Sequence, residues 1–264
     1  MEILSNFALQ LLLTVGVVIV FGLLIALCRR AFCRIVGPSG PVILLITGIV
    51  GTPVHELSHA VMCLLFGHRI DEIKLFTLRG DGTLGYVKHS YNPRNLYHRI
   101  GNFFIGIAPI IGGSAVLLLL FRLMLPEAFL VAAKTLTAPV GNSPIAEYFS
   151  RFFGIFGALF SPEYISDPMW WLFLLLALMI AGHMEISTAD LRSGISGFSF
   201  IAILLLAFDA LLYFFSPALL TGLTDFAVSA SAVTVGFLAV SGVFSLLLVL
   251  VAGLIRLIMI PLRG

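Results

Sequence analysis

The chain has 264 residues, of which 60% are hydrophobic and 11% are charged, and its mean hydropathy is +1.12. A soluble domain of this size has about 45–50% apolar and about 25% charged residues. The composition therefore excludes an ordinary soluble domain and favours an all-α polytopic membrane protein embedded in a lipid bilayer. A net charge of +2 is too small to indicate a nucleic-acid partner, and no nucleotide-binding module is expected.

Six apolar segments approach the length of about 20 residues that a helix needs to cross a bilayer. They cover approximately 7–28, 41–67, 102–125, 169–184, 198–216 and 232–258, and the fourth is the shortest. Residues 126–168 contain Glu147 and Arg151 among aromatic residues, which favours an interfacial or re-entrant helix. We predict about six transmembrane helices in a single domain, 1–264, with a core at about 41–200 and with 7–28 and 198–258 at the periphery.

One connection has the pattern of a β-hairpin instead of a helix. In residues 70–88, β-favouring residues stand on both sides of the sequence RGDGT, and Asp81-Gly82 is a strong turn signal. Open sheet edges are not tolerated facing lipid. We therefore expect a short membrane-associated hairpin after the second transmembrane helix, at the interface or in a protein-lined cavity.

The distribution of basic residues in the loops predicts the orientation in the membrane. More of them fall on the side that holds 67–101 and 185–197, which predicts a cytoplasmic N-terminus, whereas the cluster Arg29, Arg30 and Arg34 favours the opposite orientation. With the N-terminus inside, we expect a multi-pass protein of a prokaryotic cell membrane whose active site faces the cytoplasmic side.

The second apolar segment contains the motif H-E-x-x-H, formed by His55, Glu56 and His59. Residues four apart share one face of a helix, so both imidazoles can bind one metal ion, and Glu56 can reach a metal-bound water as general base. The alternative is a set of buried polar residues satisfied by neighbouring helices. Ionisable groups inside a membrane are costly and usually functional, which favours the metal site.

The residues before this motif predict a local break in the helix. Thr52 and Pro53 can begin or kink a helix, with Thr52 as N-cap, and Gly48 and Gly51 weaken the preceding turn. Such a break would let water approach the site.

A third metal ligand has to come from a distant part of the chain. Asp190 is the first choice, with His183 and Glu185 as alternatives, because the fourth apolar segment ends in polar residues there. With the N-terminus inside, Asp190 and the H-E-x-x-H motif fall at the same depth in the bilayer. The alternative for Asp190 is a solvated turn residue or a helix cap.

Other residues that can bind metals have simpler explanations. Cys63 follows His59 on the same helix face, but we expect it to be a small packing residue. His68, His89 and His98 lie in a polar connection, and we expect them at the surface.

These motifs together resemble the site-2 protease family of intramembrane zinc metalloproteases. The resemblance covers about residues 41–200 and depends on HELSHA in a membrane helix, a following hairpin, the sequence GNFFIGIAPIIGG and a later embedded aspartate. The family pairs its H-E-x-x-H with an aspartate in the pattern N-x-x-P-x-x-x-x-D-G, where Asp190 takes the aspartate position. Gly182, Glu185 and Leu191 depart from that pattern, and Ser58 replaces a glycine within the motif, as in a divergent member.

The resemblance implies a zinc-dependent endopeptidase that hydrolyses peptide bonds in or near transmembrane segments of protein substrates. One zinc ion held by His55, His59 and Asp190 would lower the pKa of a water molecule toward about 7. Glu56 would take its proton and pass it to the leaving amine. Asn102 is expected to bond the developing oxyanion or the substrate backbone, or else to pack between helices.

The predicted hairpin is the candidate for holding the substrate in an extended form. Strand addition to its edge would do so, and we expect contacts from Leu75, Thr77, Leu84 and Tyr86. Two other functions remain open. A membrane transporter or metal-handling protein would use buried His and Asp for ions, but the paired halves common in transporters are not evident. A non-catalytic homologue that binds membrane proteins would not need Glu56.

Overall fold

The computed structural model describes residues 2–78, 83–137, 150, 153–154 and 156–259. The described residues are predominantly helical and include one small two-stranded sheet. The predicted turn at Asp81-Gly82 and the polar residues Glu147 and Arg151 lie outside the described residues.

The chain begins with a long helical stretch that contains two of the predicted membrane segments. It comprises α1 (Glu2–Leu11), a π-helical turn (Leu12–Gly16), α2 (Val17–Val36), a 3-10 turn (Gly37–Ser39) and α3 (Gly40–Leu65). Gly37 ends α2 with a φ of 59°, a conformation that residues with a side chain rarely adopt. Because α3 continues through Pro53, Thr52 and Pro53 do not begin a helix and Thr52 is not its N-cap, whereas the alternative of a kink at Pro53 stays a prediction.

The predicted hairpin follows α3. β1 (Arg69–Lys74) pairs with β2 (Tyr86–Ser90) in antiparallel register, with Ile70 opposite His89 and Ile73 opposite Val87. A short sheet after the helix that holds the H-E-x-x-H motif is therefore confirmed.

Two helices joined by a sharp bend come next, α4 (Leu96–Gly106) and α5 (Ala108–Met124). Asn95 caps α4 by accepting a hydrogen bond from the backbone N–H of Tyr97 at 2.9 Å. The two helices meet at 60°. Pro109 lies in the first turn of α5, and its missing N–H cannot bond the carbonyl of Ile105 four residues earlier. That carbonyl is left available to a side chain.

The remaining helices are α6 (Pro126–Thr137), α7 (Pro162–Ile165), α8 (Pro168–Ala181), α9 (Thr188–Phe215) and α10 (Pro217–Met259). Within the described residues, three helical stretches are long and apolar enough to cross a membrane: Ile3–Leu65, Ala189–Phe215 and Thr234–Ile258. The bent pair α4 and α5 makes a fourth if it is a single span. The protein is thus membrane-associated, but the prediction of about six transmembrane helices is not confirmed.

The count differs partly because two predicted segments, 7–28 and 41–67, lie in the single stretch Ile3–Leu65. The fourth predicted segment accounts for another part of the difference. α8 has 14 residues, or about 21 Å at ~1.5 Å per residue, and the hydrocarbon core is about 30 Å thick. Polar residues after Ala181 end the helix early.

The main buried cluster joins helices from both ends of the chain. It includes Ile25 of α2, Leu117 of α5, Phe173 of α8 and Phe244 of α10. Helices that were predicted to be peripheral therefore contribute to the same core as α5 and α8. This packing supports the helices that surround the H-E-x-x-H motif.

Candidate metal centre

The H-E-x-x-H motif lies on one face of α3 and is largely buried. Glu56 is 7% exposed and His59 is 6% exposed. Residues four apart on a helix are neighbours, and the imidazole rings of His55 and His59 have centroids 4.9 Å apart. Their Nε2 atoms are 3.2 Å apart. The spacing in the sequence thus does bring the two rings together.

Backbone carbonyl groups determine which nitrogen of each ring carries the proton. His55 Nδ1 lies 2.6 Å from the carbonyl oxygen of His183, and His59 Nδ1 lies 2.8 Å from that of Ile105. A carbonyl only accepts, so both Nδ1 atoms donate, and in each neutral ring Nε2 is left with its lone pair. Two acceptor atoms therefore face each other at 3.2 Å, an arrangement that a cation would stabilise.

Both carbonyl groups are available because the helices that supply them are interrupted. Ile105 lacks its usual helical donor because residue 109 is proline. His183 lies two residues beyond Ala181, the last residue of α8, so its carbonyl group is outside the helix and has no helical donor. Metal-binding histidines commonly donate their second N–H to such an acceptor, which orients the ring.

Gly51 allows α8 to approach α3 closely. A Cβ atom at this position would overlap the carbonyl oxygen of Met179 and lie 2.6 Å from the His183 ring. The glycines before the motif therefore permit close helix packing, whereas the sequence suggested a weakened helix that admits water. The close approach brings the His183 carbonyl within reach of His55.

Asp190 lies at the start of α9 and has two sets of contacts. Its Oδ2 atom accepts hydrogen bonds from the backbone N–H of Ser187 at 3.0 Å and from the Ser187 hydroxyl, in a reciprocal capping box. Its Oδ1 atom lies 3.5 Å from His59 Nε2. The aspartate is therefore a helix cap, which was the alternative interpretation, and it also directs its second oxygen to the histidine pair.

His55, His59 and Asp190 form a compact group of possible ligands. One ligand atom from each lies within 4.8 Å of the other two. All three atoms are hydrogen-bond acceptors when the histidines are neutral and the aspartate is ionised. Two imidazole nitrogens and a carboxylate oxygen suit zinc, whose catalytic sites use three protein ligands and keep a fourth position open.

The two alternative third ligands have other partners. The ring of His183 is turned to α3, with Nε2 2.9 Å from the Thr47 hydroxyl and Nδ1 3.5 Å from that of Thr52. Glu185 forms an ion pair with Arg29 at 2.8 Å. Neither belongs to the group of His55, His59 and Asp190, so the geometry favours Asp190.

A cavity of about 310 Å³ opens at these residues. Its lining includes Glu56 with His55, His59 and Asp190, and the hairpin side is lined by Gly85, Tyr86, Val87 and His89. Side chains alternate between the two faces of a strand. Three consecutive residues, 85–87, line the cavity, so an edge of the main chain borders it.

Gly85 brings the hairpin directly over the proposed base. A Cβ atom at this position would lie 3.0 Å from Oε1 of Glu56 and 2.7 Å from Cγ2 of Thr52. A larger residue would therefore push the strand away from Glu56.

The four predicted hairpin residues lie at different places. Tyr86 lines the cavity and its hydroxyl bonds Glu72. The N–H of Thr77 donates to the carbonyl of Leu84 at 2.7 Å, which extends the pairing beyond β1 and β2, and the Leu84 side chain lies against Gly48. Leu75 is half-buried and does not line the cavity.

Asn102 is buried in α4, one turn before the cavity-lining Ile105 and Gly106. Its Nδ2 atom lies 3.4 Å from the Ser196 hydroxyl, and its Oδ1 atom has no hydrogen-bond partner within the described residues. The cavity lining does not include it. Its position fits the expected packing amide between α4 and α9, and it also fits the expected hydrogen bond to the substrate backbone or the oxyanion.

Sequence reasoning missed several residues around the site. His89 lines the cavity and His68 is only 3% exposed, so the expectation of a surface position is wrong for His68. Ser187 also went unnoticed, although S-x-x-D before an apolar run is typical of a capping box. The carbonyl groups that orient the histidines have no signal in the sequence except the proline at 109.

No family model, no curated protein and no solved structure matches this chain.

Proposed function

We propose that the protein is a zinc-dependent intramembrane endopeptidase of the site-2 protease type, acting on transmembrane segments of other proteins. The observation that carries the proposal is the convergence of three acceptor atoms, from His55, His59 and Asp190, in a cavity that also contains Glu56. A buried site with two histidines, a carboxylate and a second acid is the arrangement that zinc hydrolases use.

The donor set fits zinc better than the other common divalent cations. Imidazole nitrogen suits zinc, whereas magnesium and calcium prefer oxygen ligands. His55 and His59 would bind through Nε2, since Nδ1 of each donates to a carbonyl group. When bound, zinc would polarise the substrate carbonyl and lower the pKa of a water ligand toward about 7.

Glu56 is the proposed proton carrier. It lines the cavity beside His55 but is not part of the ligand group. Its carboxylate would take a proton from the attacking water and return it to the leaving amine, a role that contributes about 10²–10⁴-fold to rate. A Cβ atom built at Gly85 would lie 3.0 Å from Oε1 of Glu56, so the hairpin borders the carboxylate closely.

The substrate would enter as an extended segment along the hairpin. A helical peptide bond is shielded by the surrounding turns, so a membrane helix has to unwind before hydrolysis. The edge at Gly85, Tyr86 and Val87 borders the cavity, and main-chain bonding to a strand edge recognises extended peptides without demanding one sequence. Asn102 would then help to hold the substrate backbone only if α4 shifts on binding.

The site is proposed to lie near one membrane surface. His59 is six residues before the end of the stretch Ile3–Leu65, about 9 Å along a helix at ~1.5 Å per residue. Asp190 is the second residue of the candidate span Ala189–Phe215. In a multi-pass arrangement with the N-terminus inside, this surface is the cytoplasmic one of a prokaryotic cell membrane.

The test is the cleavage of a model single-span substrate in liposomes, together with the zinc content of the protein. Glu56→Gln keeps the shape of the side chain and removes the base, so we expect bound zinc to be retained and cleavage to fall by about 10²–10⁴-fold. Glu185→Gln is the matched control, because Glu185 is paired with Arg29 outside the ligand group, and it should leave both unchanged.

Undiminished cleavage by Glu56→Gln would overturn the proposal. The same liposomes separate the alternatives. A transporter or metal-handling protein would move cations without cleaving the substrate, and a non-catalytic homologue would bind the substrate and leave it intact.

A further inference from the structure

A second group of possible metal ligands lies beyond the first site. It consists of Cys63, His68 and His89, whose ligand atoms all lie within 4.8 Å of one another. Cys63 is 0% exposed and His68 is 3% exposed. The group shares no residue with His55, His59 and Asp190, and it joins the end of α3 to β2.

The end of α3 brings Cys63 and His68 together. The N–H of His68 donates to the carbonyl of Cys63 at 2.8 Å, and the N–H of Gly67 donates to that of Leu64 at 3.2 Å. This pair of bonds is a Schellman motif, and Gly67 has the positive φ of 71° that the motif requires. The chain therefore turns back, and His68 lies over the last turn of the helix.

The tautomer of His68 is determined by its neighbour. Its Nε2 atom lies 2.9 Å from the carbonyl oxygen of His98 and has to donate there. Its Nδ1 atom therefore keeps a lone pair, and it faces Nδ1 of His89 at 3.0 Å. A ring whose second N–H is held by a carbonyl is oriented in the way that metal-binding histidines are.

Aromatic packing holds the rings of this group in place. The ring centroids of His68 and His89 are 5.0 Å apart. The His68 ring is stacked on Tyr91, with centroids 4.8 Å apart, which restricts its movement.

We propose that Cys63, His68 and His89 form a second metal site, for a thiophilic divalent cation of the zinc class, which fastens β2 to the end of α3. A thiolate with two imidazoles suits zinc and excludes magnesium and calcium. Cys63 binds after losing its thiol proton to solvent. Tetrahedral ligands at about 2.05 Å from zinc stand about 3.3 Å apart, so the two Nδ1 atoms need to separate by a few tenths of an ångström.

This site has a structural consequence for the first one. His89 belongs to the metal group and also lines the cavity that contains Glu56. A cation held at Cys63 would keep β2 against the cavity and so maintain the strand edge at residues 85–87. The second site does not depend on whether the first one hydrolyses peptides.

Cobalt(II) substitution tests the proposal, because only the second site contains sulfur. A thiolate bound to Co(II) gives an intense charge-transfer absorption in the near ultraviolet, which nitrogen and oxygen ligands do not give. We expect this band in wild-type protein and in a His55→Gln/His59→Gln variant, and its loss in Cys63→Ser.

Two controls keep the result decisive if Cys63→Ser does not fold. The chain has three cysteines, so a band in the Cys28→Ser/Cys33→Ser double variant has to come from Cys63. His89→Gln should weaken Co(II) binding at this site by at least about 10-fold. His98→Gln should change it much less than His89→Gln does, because the hydrogen bond to His68 comes from the backbone carbonyl of His98 and its side chain only packs against the His68 ring, with centroids 5.4 Å apart.

The absence of a thiolate band in wild-type protein saturated with Co(II) would overturn the proposal. A band that persists in Cys63→Ser, or that disappears in Cys28→Ser/Cys33→Ser, would also overturn it, because the sulfur ligand would then be another cysteine.

Discussion

Ser187→Ala tests whether the cap of α9 aims Asp190 at the histidines. The Ser187 hydroxyl accepts from the N–H of Asp190 at 3.1 Å and donates to its Oδ2 atom. The variant removes both bonds and leaves Oδ2 with the backbone N–H of Ser187 at 3.0 Å. Oδ1, which lies 3.5 Å from His59 Nε2, would then be free to rotate away.

Ser187→Ala should have two effects, one on folding stability and one on zinc affinity. Loss of a serine cap costs about 0.5–2 kcal/mol of folding free energy. Loss of the partner that orients a metal ligand typically weakens metal binding by about 10–100-fold, which corresponds to about 1.4–2.8 kcal/mol. Competition with a chromophoric chelator measures the zinc affinity, and hydrogen exchange at the start of α9 measures the cap.

Two further variants make the measurement specific. Ser199→Ala removes an exposed hydroxyl on the same helix that bonds only the carbonyl of Ile195 among the described contacts, and it should keep wild-type zinc affinity. Ser187→Thr keeps a capping hydroxyl and should restore most of the affinity. If Ser187→Ala loses cap protection but binds zinc as tightly as wild type, the reasoning that links the cap to the ligand is wrong.

Three other variants have expected outcomes. Asp190→Asn should lower zinc affinity by at least about 10-fold in the same chelator competition, whereas Glu185→Gln should not lower it. A loss of zinc affinity in Glu185→Gln but not in Asp190→Asn would make Glu185 the ligand. Gly85→Ala should reduce substrate cleavage without releasing zinc, because the added Cβ would lie 3.0 Å from Oε1 of Glu56; wild-type cleavage would mean that the hairpin does not border the substrate. Gly51→Ala should destabilise the protein by about 1–3 kcal/mol in thermal unfolding, since its Cβ would overlap the main chain of α8, and an unchanged unfolding temperature would contradict that packing.

The local part of the site could be predicted from the sequence because it depends on helix spacing alone. Residues four apart share a face, so His55 and His59 had to be neighbours once α3 was a helix. The hairpin was predictable for a similar reason, since its turn residues and the β-favouring residues on both sides of them are local signals. The position of Asp190 followed from the family resemblance and from the polar end of the fourth segment.

The other parts depend on contacts that local patterns do not encode. The short distance between His68 and His89 follows from the strand register and from the Schellman turn at Gly67, neither of which is a local pattern in the sequence. The polar character of the connection instead suggested a surface position, which is wrong for His68. The sequence showed that the fourth apolar segment is the shortest and ends in polar residues, and α8 is shorter still, with 14 residues. Hydropathy did not reveal that α4 and α5 would bend by 60°. These features decide how many helices are long enough to cross a membrane.

The most direct test of the proposed function is the mass of the products formed from a single-span substrate in liposomes. We expect two fragments whose masses sum to that of the substrate plus one water, with the new ends in or beside the membrane segment. They should be formed by wild-type protein and not by Glu56→Gln or by protein stripped of zinc. An intact substrate with zinc-loaded wild-type protein, or the same two fragments with Glu56→Gln, would contradict it.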